Sequence, residues 1–202
     1  QNQILVSPTD LNNFTLCRYL IKNDISFEKD PNKLKKRKPK GDLELVRTLG
    51  KKHEKKHLKL FQQECKPNIT INNNNRSDSD RFKDTVAAIK KGYKMIHKAF
   101  FVDNKFRGEV DFLIRVETKS KLGAFSYEVY DTKIARNPRP VHVLQITAYS
   151  EMLGKIQGSA PKEMHLIDGS DNTHPFKVSE FIYYFLYTKK VFLDFLDNSK
   201  KE

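Results

Sequence analysis

Apolar residues near the start of the chain recur at helical spacing. Leu11, Phe14, Cys17, Arg18 and Ile21 share one side, and Leu20 widens it. That pattern predicts an amphipathic helix from the Ser7-Pro8-Thr9-Asp10 segment to Asn23-Asp24. Ser7 or Thr9 suits its N-cap and Pro8 or Asp10 its first turn, with Cys17 as a packed core thiol. A second helix is predicted over 43–64, where Leu45, Leu49, His53 and Lys56 or His57 follow one another by a turn and Leu58 and Phe61 continue the apolar side. Gly50 inside it costs about 1 kcal/mol relative to alanine, so close packing or a break is expected there. Pro67 closes the segment. A polar, asparagine-rich loop is expected over 68–80, then a short helix capped by Ser79 or Asp80, carrying Phe82, Val86, Ala87 and Ile89 and stopping at Gly92.

From Tyr93 the period changes to two. Strands are predicted over 93–102 and 105–116 with a turn at Asp103-Asn104, and over 125–132 after a polar turn. Helical spacing returns at 141–153, with Val141, Leu144, Ala148 and Met152 on one side and Gly154 as its end. Residues 164–167 read as a short buried strand, 168–171 as a turn, and 176–178 as a strand running into a last helix capped by Ser179 and ending near Leu196. This order predicts an α/β (α+β) fold, a small mixed central sheet flanked by helices. The 202 residues fit a single domain spanning 1–202.

Composition narrows the class. Apolar residues at 38%, with 14 Phe and 8 Tyr, supply a core and exclude a disordered or collagen-like chain. No apolar run approaches the roughly 18 residues of a membrane span, so no membrane partner is expected. Two cysteines cannot form a disulfide framework, which points to a reducing, cytoplasmic setting. A first residue Gln1 without methionine reads as a fragment of a larger protein. A formal net charge of +13 favours a polyanionic partner. Residues 31–40 hold six positive charges, two prolines and no acid, reading as a basic loop that either is merely solvated or binds phosphate. Its Lys35, Lys36, Arg37 and Lys38, with Lys51, Lys52 and Lys55 on the second helix, are the candidate substrate-binding cations.

The candidate chemistry lies on the predicted strands. Asp111 interrupts an apolar strand, and Asp131 and Lys133 leave the same face of the next one, near its end. Buried carboxylates need opposite charge or a metal. Two carboxylates, the imidazole of His53 and a carbonyl would suit a hard divalent ion such as Mg²⁺ or Mn²⁺, with a lysine beside it to orient a water attacking phosphorus. An ordinary Asp131–Lys133 ion pair, and a surface or core role for His53, fit the same spacing.

The ordered set Gly50-x-x-His53-Glu54, Gly108-x-x-Asp111, Asp131-x-Lys133 and Gln145-x-x-x-Tyr149 resembles the RecB-like branch of the PD-(D/E)xK nucleases. The fuller strings 127–135, 144–149 and 158–161 resemble a bacterial group of RecB-type nucleases, and the likeness spans about 7–196. It implies a restriction-endonuclease-like core and a divalent-metal-dependent deoxyribonuclease. In that scheme His53, Asp111, Asp131 and the main-chain carbonyl of Thr132 bind Mg²⁺ or Mn²⁺, Lys133 assists the attacking water, and Gln145 and Tyr149 steady the lysine or a phosphate. Glu54 and Glu128 are secondary candidates. Tyr93 or Phe101 would stack a frayed base. Some relatives hold an iron–sulfur cluster with one early and three late cysteines. Here Cys17 matches the early position and no cysteine follows Cys65, so no cluster is expected. DNA is the expected partner, and a helicase or additional domain a further one. The alternatives are a non-catalytic DNA-binding module of the same fold in a helicase–nuclease assembly, and an RNA- or structure-specific nuclease.

Overall fold

The structure, a computed structural model, describes residues 5–30, 32 and 41–198. The basic loop with Lys35, Lys36, Arg37 and Lys38 therefore lies outside the described residues.

Helix α1, Pro8–Leu16, starts in a full capping box. The Ser7 hydroxyl accepts the Asp10 N–H, and the Asp10 carboxylate accepts the Ser7 N–H at 2.7 Å. The single helix expected here is two. Cys17 takes an extended conformation, its N–H donating to the Asn13 carbonyl and its own carbonyl accepting from Leu20, and α2 runs Arg18–Lys29. With that break Leu11, Phe14, Ile21 and Ile25 are all buried, while Cys17 and Leu20, which an unbroken stripe would bury with them, are exposed. Cys17 is thus not a core thiol.

Helix α3, Gly41–Glu64, passes through Gly50 without a break, and a Cβ at Gly50 would meet nothing within 4 Å. Neither close packing nor a helix end accounts for that glycine. Part of the polar stretch 68–80 is ordered as strand β1, Asn68–Thr70. Helix α4, Asp78–Lys91, is capped by Ser77 rather than Ser79 or Asp80, because Ser77 is the residue whose hydroxyl reaches the Asp80 N–H; Gly92 ends it in the left-handed conformation. Strands β2, Met95–Asp103, β3, Phe106–Val116, and β4, Ser126–Thr132, follow the predicted meander. Helix α5, Pro140–Gln157, runs past Gly154 to stop at Gly158. Gly154 is a packing position, where a Cβ would lie 3.3 Å from Ala160 Cα. Strands β5, Glu163–Ile167, and β6, Thr173–Lys177, lead into α6, Val178–Asn198, which already includes Ser179.

The fold is mixed α/β. The six strands form one sheet in chain order. β1 and β2 are parallel, joined through α4; β2, β3 and β4 are antiparallel; β4 and β5 are parallel, joined through α5; β6 closes the edge antiparallel. Ile89, Ile96, Phe101, Val110, Tyr127, Val129, Ile146, Met164, Phe185 and Phe192 belong to one core cluster joining α4, α5 and α6 to the sheet. Phe61 of α3 packs on Phe112 and Tyr130, with centroids 5.0 and 6.0 Å away. Among the described residues, no helix is long and apolar enough to cross a membrane.

Candidate active site

The site forms where the alternation of β2 and β3 changes face. On β2 the core-cluster residues are Ile96 before Lys98, and Ala99 and Phe101 after it. On β3 they are Phe106 and Val110 before Asp111, and Leu113 after it. The register holds on both sides, His97 opposite Phe112 and Ala99 opposite Val110, so the two strands switch together at Lys98 and Asp111. Lys98 takes a positive φ of 58°, an uncommon state for a lysine inside a strand. A regular pair of strands would keep one parity throughout.

Asp111 meets β4 through Thr132, whose backbone N–H and hydroxyl both donate to Asp111 Oδ2, at 2.9 and 2.6 Å. With Phe112 paired to Tyr130, this sets Asp111 beside Asp131. Asp131 is 3% exposed and forms an ion pair with Lys133. Burial, together with repulsion from Asp111, pushes the Asp131 carboxyl up to about 6 against the pull of Lys133 and Lys98. Burial pushes Asp111 the same way, but Lys98, the Thr132 donors and Lys133 outweigh it and hold that carboxyl below its ordinary value. Burial alone would lower Lys133; attraction and hydrogen bonding from Asp131, then Asp111, hold it raised and protonated. One carboxylate is thus stabilised as an anion while its neighbour is destabilised. The oxygen-only pair suits a hard ion, Mg²⁺ or Mn²⁺.

Lys98 is a member of this site that the sequence does not mark. Its Nζ lies 2.8 Å from Glu54, 3.2 Å from Glu109 and 3.1 Å from Asp111. Desolvation would lower its pKa, and these three carboxylates raise it instead. Glu54 also holds His97 at 2.8 Å, and Glu109 pairs with Arg81, whose guanidinium lies 4.1 Å over the Phe100 ring. Glu54, on α3, thus pairs with a lysine of the sheet.

Gln145 and Tyr149 share a face of α5, with the Gln145 amide 3.4 Å from the Tyr149 hydroxyl. Tyr149 is buried. Its phenol is raised by desolvation and by the charges of Asp131, Asp111 and Glu109. Lys51, Lys52 and Lys55 are exposed on α3. Phe101 is fully buried and stacks on Tyr149, so it is a core side chain and not a base-stacking surface. Tyr93 is half-buried, its carbonyl accepting the Tyr127 hydroxyl. Glu128 stands in a different cluster, bonded to His165 at 2.9 Å and to the Glu163 N–H.

His53 is not brought into one donor set with Asp111 and Asp131. Among the described residues, the potential metal-ligand groups whose donor atoms lie within 4.8 Å of one another are His53, His57 and Asp171, and Glu128, Glu163 and His165. His57 could be found from the sequence by its four-residue spacing from His53. Asp171, from a distant turn, could not. No protein-family model matches this chain, and neither does any curated protein.

Proposed function

We propose that this chain is a divalent-metal-dependent deoxyribonuclease of the RecB-like PD-(D/E)xK type, hydrolysing DNA phosphodiester bonds. The observation that carries the reading is the convergence of Asp111, Asp131 and Lys133 from two neighbouring strands at one partly buried point. The succession β2-β3-β4-α5-β5, three antiparallel strands and a helical crossover to a parallel one, supports a restriction-endonuclease-like core.

Asp111 and Asp131, with the Thr132 carbonyl that the resemblance adds, would hold Mg²⁺ or Mn²⁺. His53, which the resemblance also adds, faces Asp171, so the reading rests on the two carboxylates. When bound, the ion would supply Lewis-acid stabilisation of charge on the phosphoryl oxygens. Held protonated by its acidic neighbours, Lys133 serves as a hydrogen-bond donor that orients the attacking water in line with phosphorus and offsets developing negative charge. Gln145 and the Tyr149 hydroxyl would offer donors to a non-bridging phosphate oxygen. Lys51, Lys52 and Lys55 would contact backbone phosphates, giving affinity without sequence reading. DNA as partner and a cytoplasmic setting belong to this proposal. A helicase or additional domain would find exposed aromatic side chains on α6, at Tyr183, Tyr184 and Tyr187.

The test is cleavage of linear single-stranded, linear duplex and covalently closed circular DNA with Mn²⁺, Mg²⁺ or EDTA, beside folded Asp111→Ala and Lys133→Ala proteins. Metal-dependent cutting that both variants lose is the expected result. DNA binding without cutting in any metal would replace the reading with a binding module, and cutting of RNA alone would change the substrate.

A further inference from the structure

His53 and His57 stand four residues apart on α3, on one helical face, with ring centroids 4.8 Å apart edge to face. The turn between β5 and β6 brings Asp171 against both. Its Oδ1 lies 3.0 Å from His57 Nε2 and 3.7 Å from His53 Nδ1, and the three residues present donor atoms within 4.8 Å of one another.

The His53 side chain is only 10% exposed, and its Nε2 has no hydrogen-bond partner, while Nδ1 is too far from Asp171 to make one. A buried, unpartnered Nε2 is unfavourable and rare, and the ring turns its other nitrogen, Nδ1, toward Asp171. Asp171 is held at a positive φ of 68° in a turn whose Ser170 and Asn172 N–H groups both donate to Asp168. The Asp171 side chain is 41% exposed, so the cluster opens to solvent on that side while the two imidazoles are covered. Lys56, more than half exposed, is ion-paired to the same carboxylate.

We propose that His53, His57 and Asp171 form a second metal centre, selective for a transition ion of the Zn²⁺ class. Two imidazole nitrogens and one carboxylate oxygen suit Zn²⁺ or Co²⁺, with water completing the shell, whereas the oxygen-only Asp111–Asp131 pair suits Mg²⁺ or Mn²⁺. The ion would fasten α3, which presents Lys51, Lys52 and Lys55, to the β5–β6 turn. This site stands whether or not the chain cleaves DNA.

The test is Co²⁺ titration of the chelator-treated full chain, read by visible d–d absorption, by displacement with Zn²⁺, and by the shift in melting temperature. A single equivalent bound with a rise in melting temperature is expected. Affinity should fall about tenfold or more in His57→Ala and in Asp171→Asn. Should His57→Ala fail to fold, Asp171→Asn, at an exposed turn, decides alone. Absence of Co²⁺ binding would overturn the site. So would binding that survives His57→Ala but is lost in Asp131→Asn, which would assign His53 to the carboxylate pair instead. Mn²⁺-dependent cleavage is measured separately, so loss of one activity is not read as loss of the other.

Discussion

The ring of Tyr149 lies over Gly108 so closely that a Cβ there would come 2.8 Å from Cε1 and 3.1 Å from the hydroxyl. A glycine three residues before Asp111 is therefore what lets the tyrosine of α5 pack against β3. Gly108→Ala should displace the ring and destabilise the protein by about 1–3 kcal/mol, measured by chemical denaturation. If the proposed nuclease reading holds, cleavage should fall as well. A variant of unchanged stability would show that the ring moves aside freely.

Thr132 gives Asp111 two hydrogen bonds, and Thr132→Val removes the one from the hydroxyl while keeping the N–H. The Asp111 carboxyl should then titrate higher. The acid limb of the proposed metal-dependent cleavage should move to higher pH, with the alkaline limb unchanged. Asp131→Asn and Lys133→Met should instead lower cleavage by about a hundredfold or more at every pH. A pH–rate profile of the three proteins separates these outcomes.

Two histidines make the fold sensitive to acid. Burial, helped by Lys133 and Arg139, lowers His142 to about 4, and burial lowers His57 also. Because the folded values lie below the unfolded one, near 6.5, their contribution is fully present above pH 6.5. It is lost as the unfolded chain takes up protons first, between about 6.5 and 4 for His142. The melting temperature should drop through that window, and His142→Asn should flatten the slope. A His142→Asn protein with the parental slope would remove this explanation.

Gly50→Ala should raise stability by about 0.5–1 kcal/mol, because the helix is continuous there and a methyl group meets open space. The midpoint of urea denaturation checks it. A decrease would mean that this glycine faces a partner not described by the fold alone.

Much of the architecture was legible because local periodicity reports it. The β2-β3-β4 meander, the long helices and the turn at 168–171 follow from alternation, helical spacing and glycine placement. The misreadings share a cause. Cys17 continues an apolar stripe, yet the chain breaks there so that both short helices can bury their own residues. Gly154 looks like a stop, yet it is small in order to admit Ala160. In each, packing between distant segments overrode the local signal.

The sequence by itself determined which polar and acidic residues stand out on β3, β4 and α5. An acid set among apolar strand positions and a tyrosine one turn from a glutamine are visible without coordinates. Only the tertiary structure decided their company. Lys98 reaches three carboxylates because two strands change face together, and His53 meets Asp171, 118 residues away in the chain, through a turn beyond β5. Spacing along a chain fixes what shares one face of one element. Which faces then meet depends on how the whole core closes.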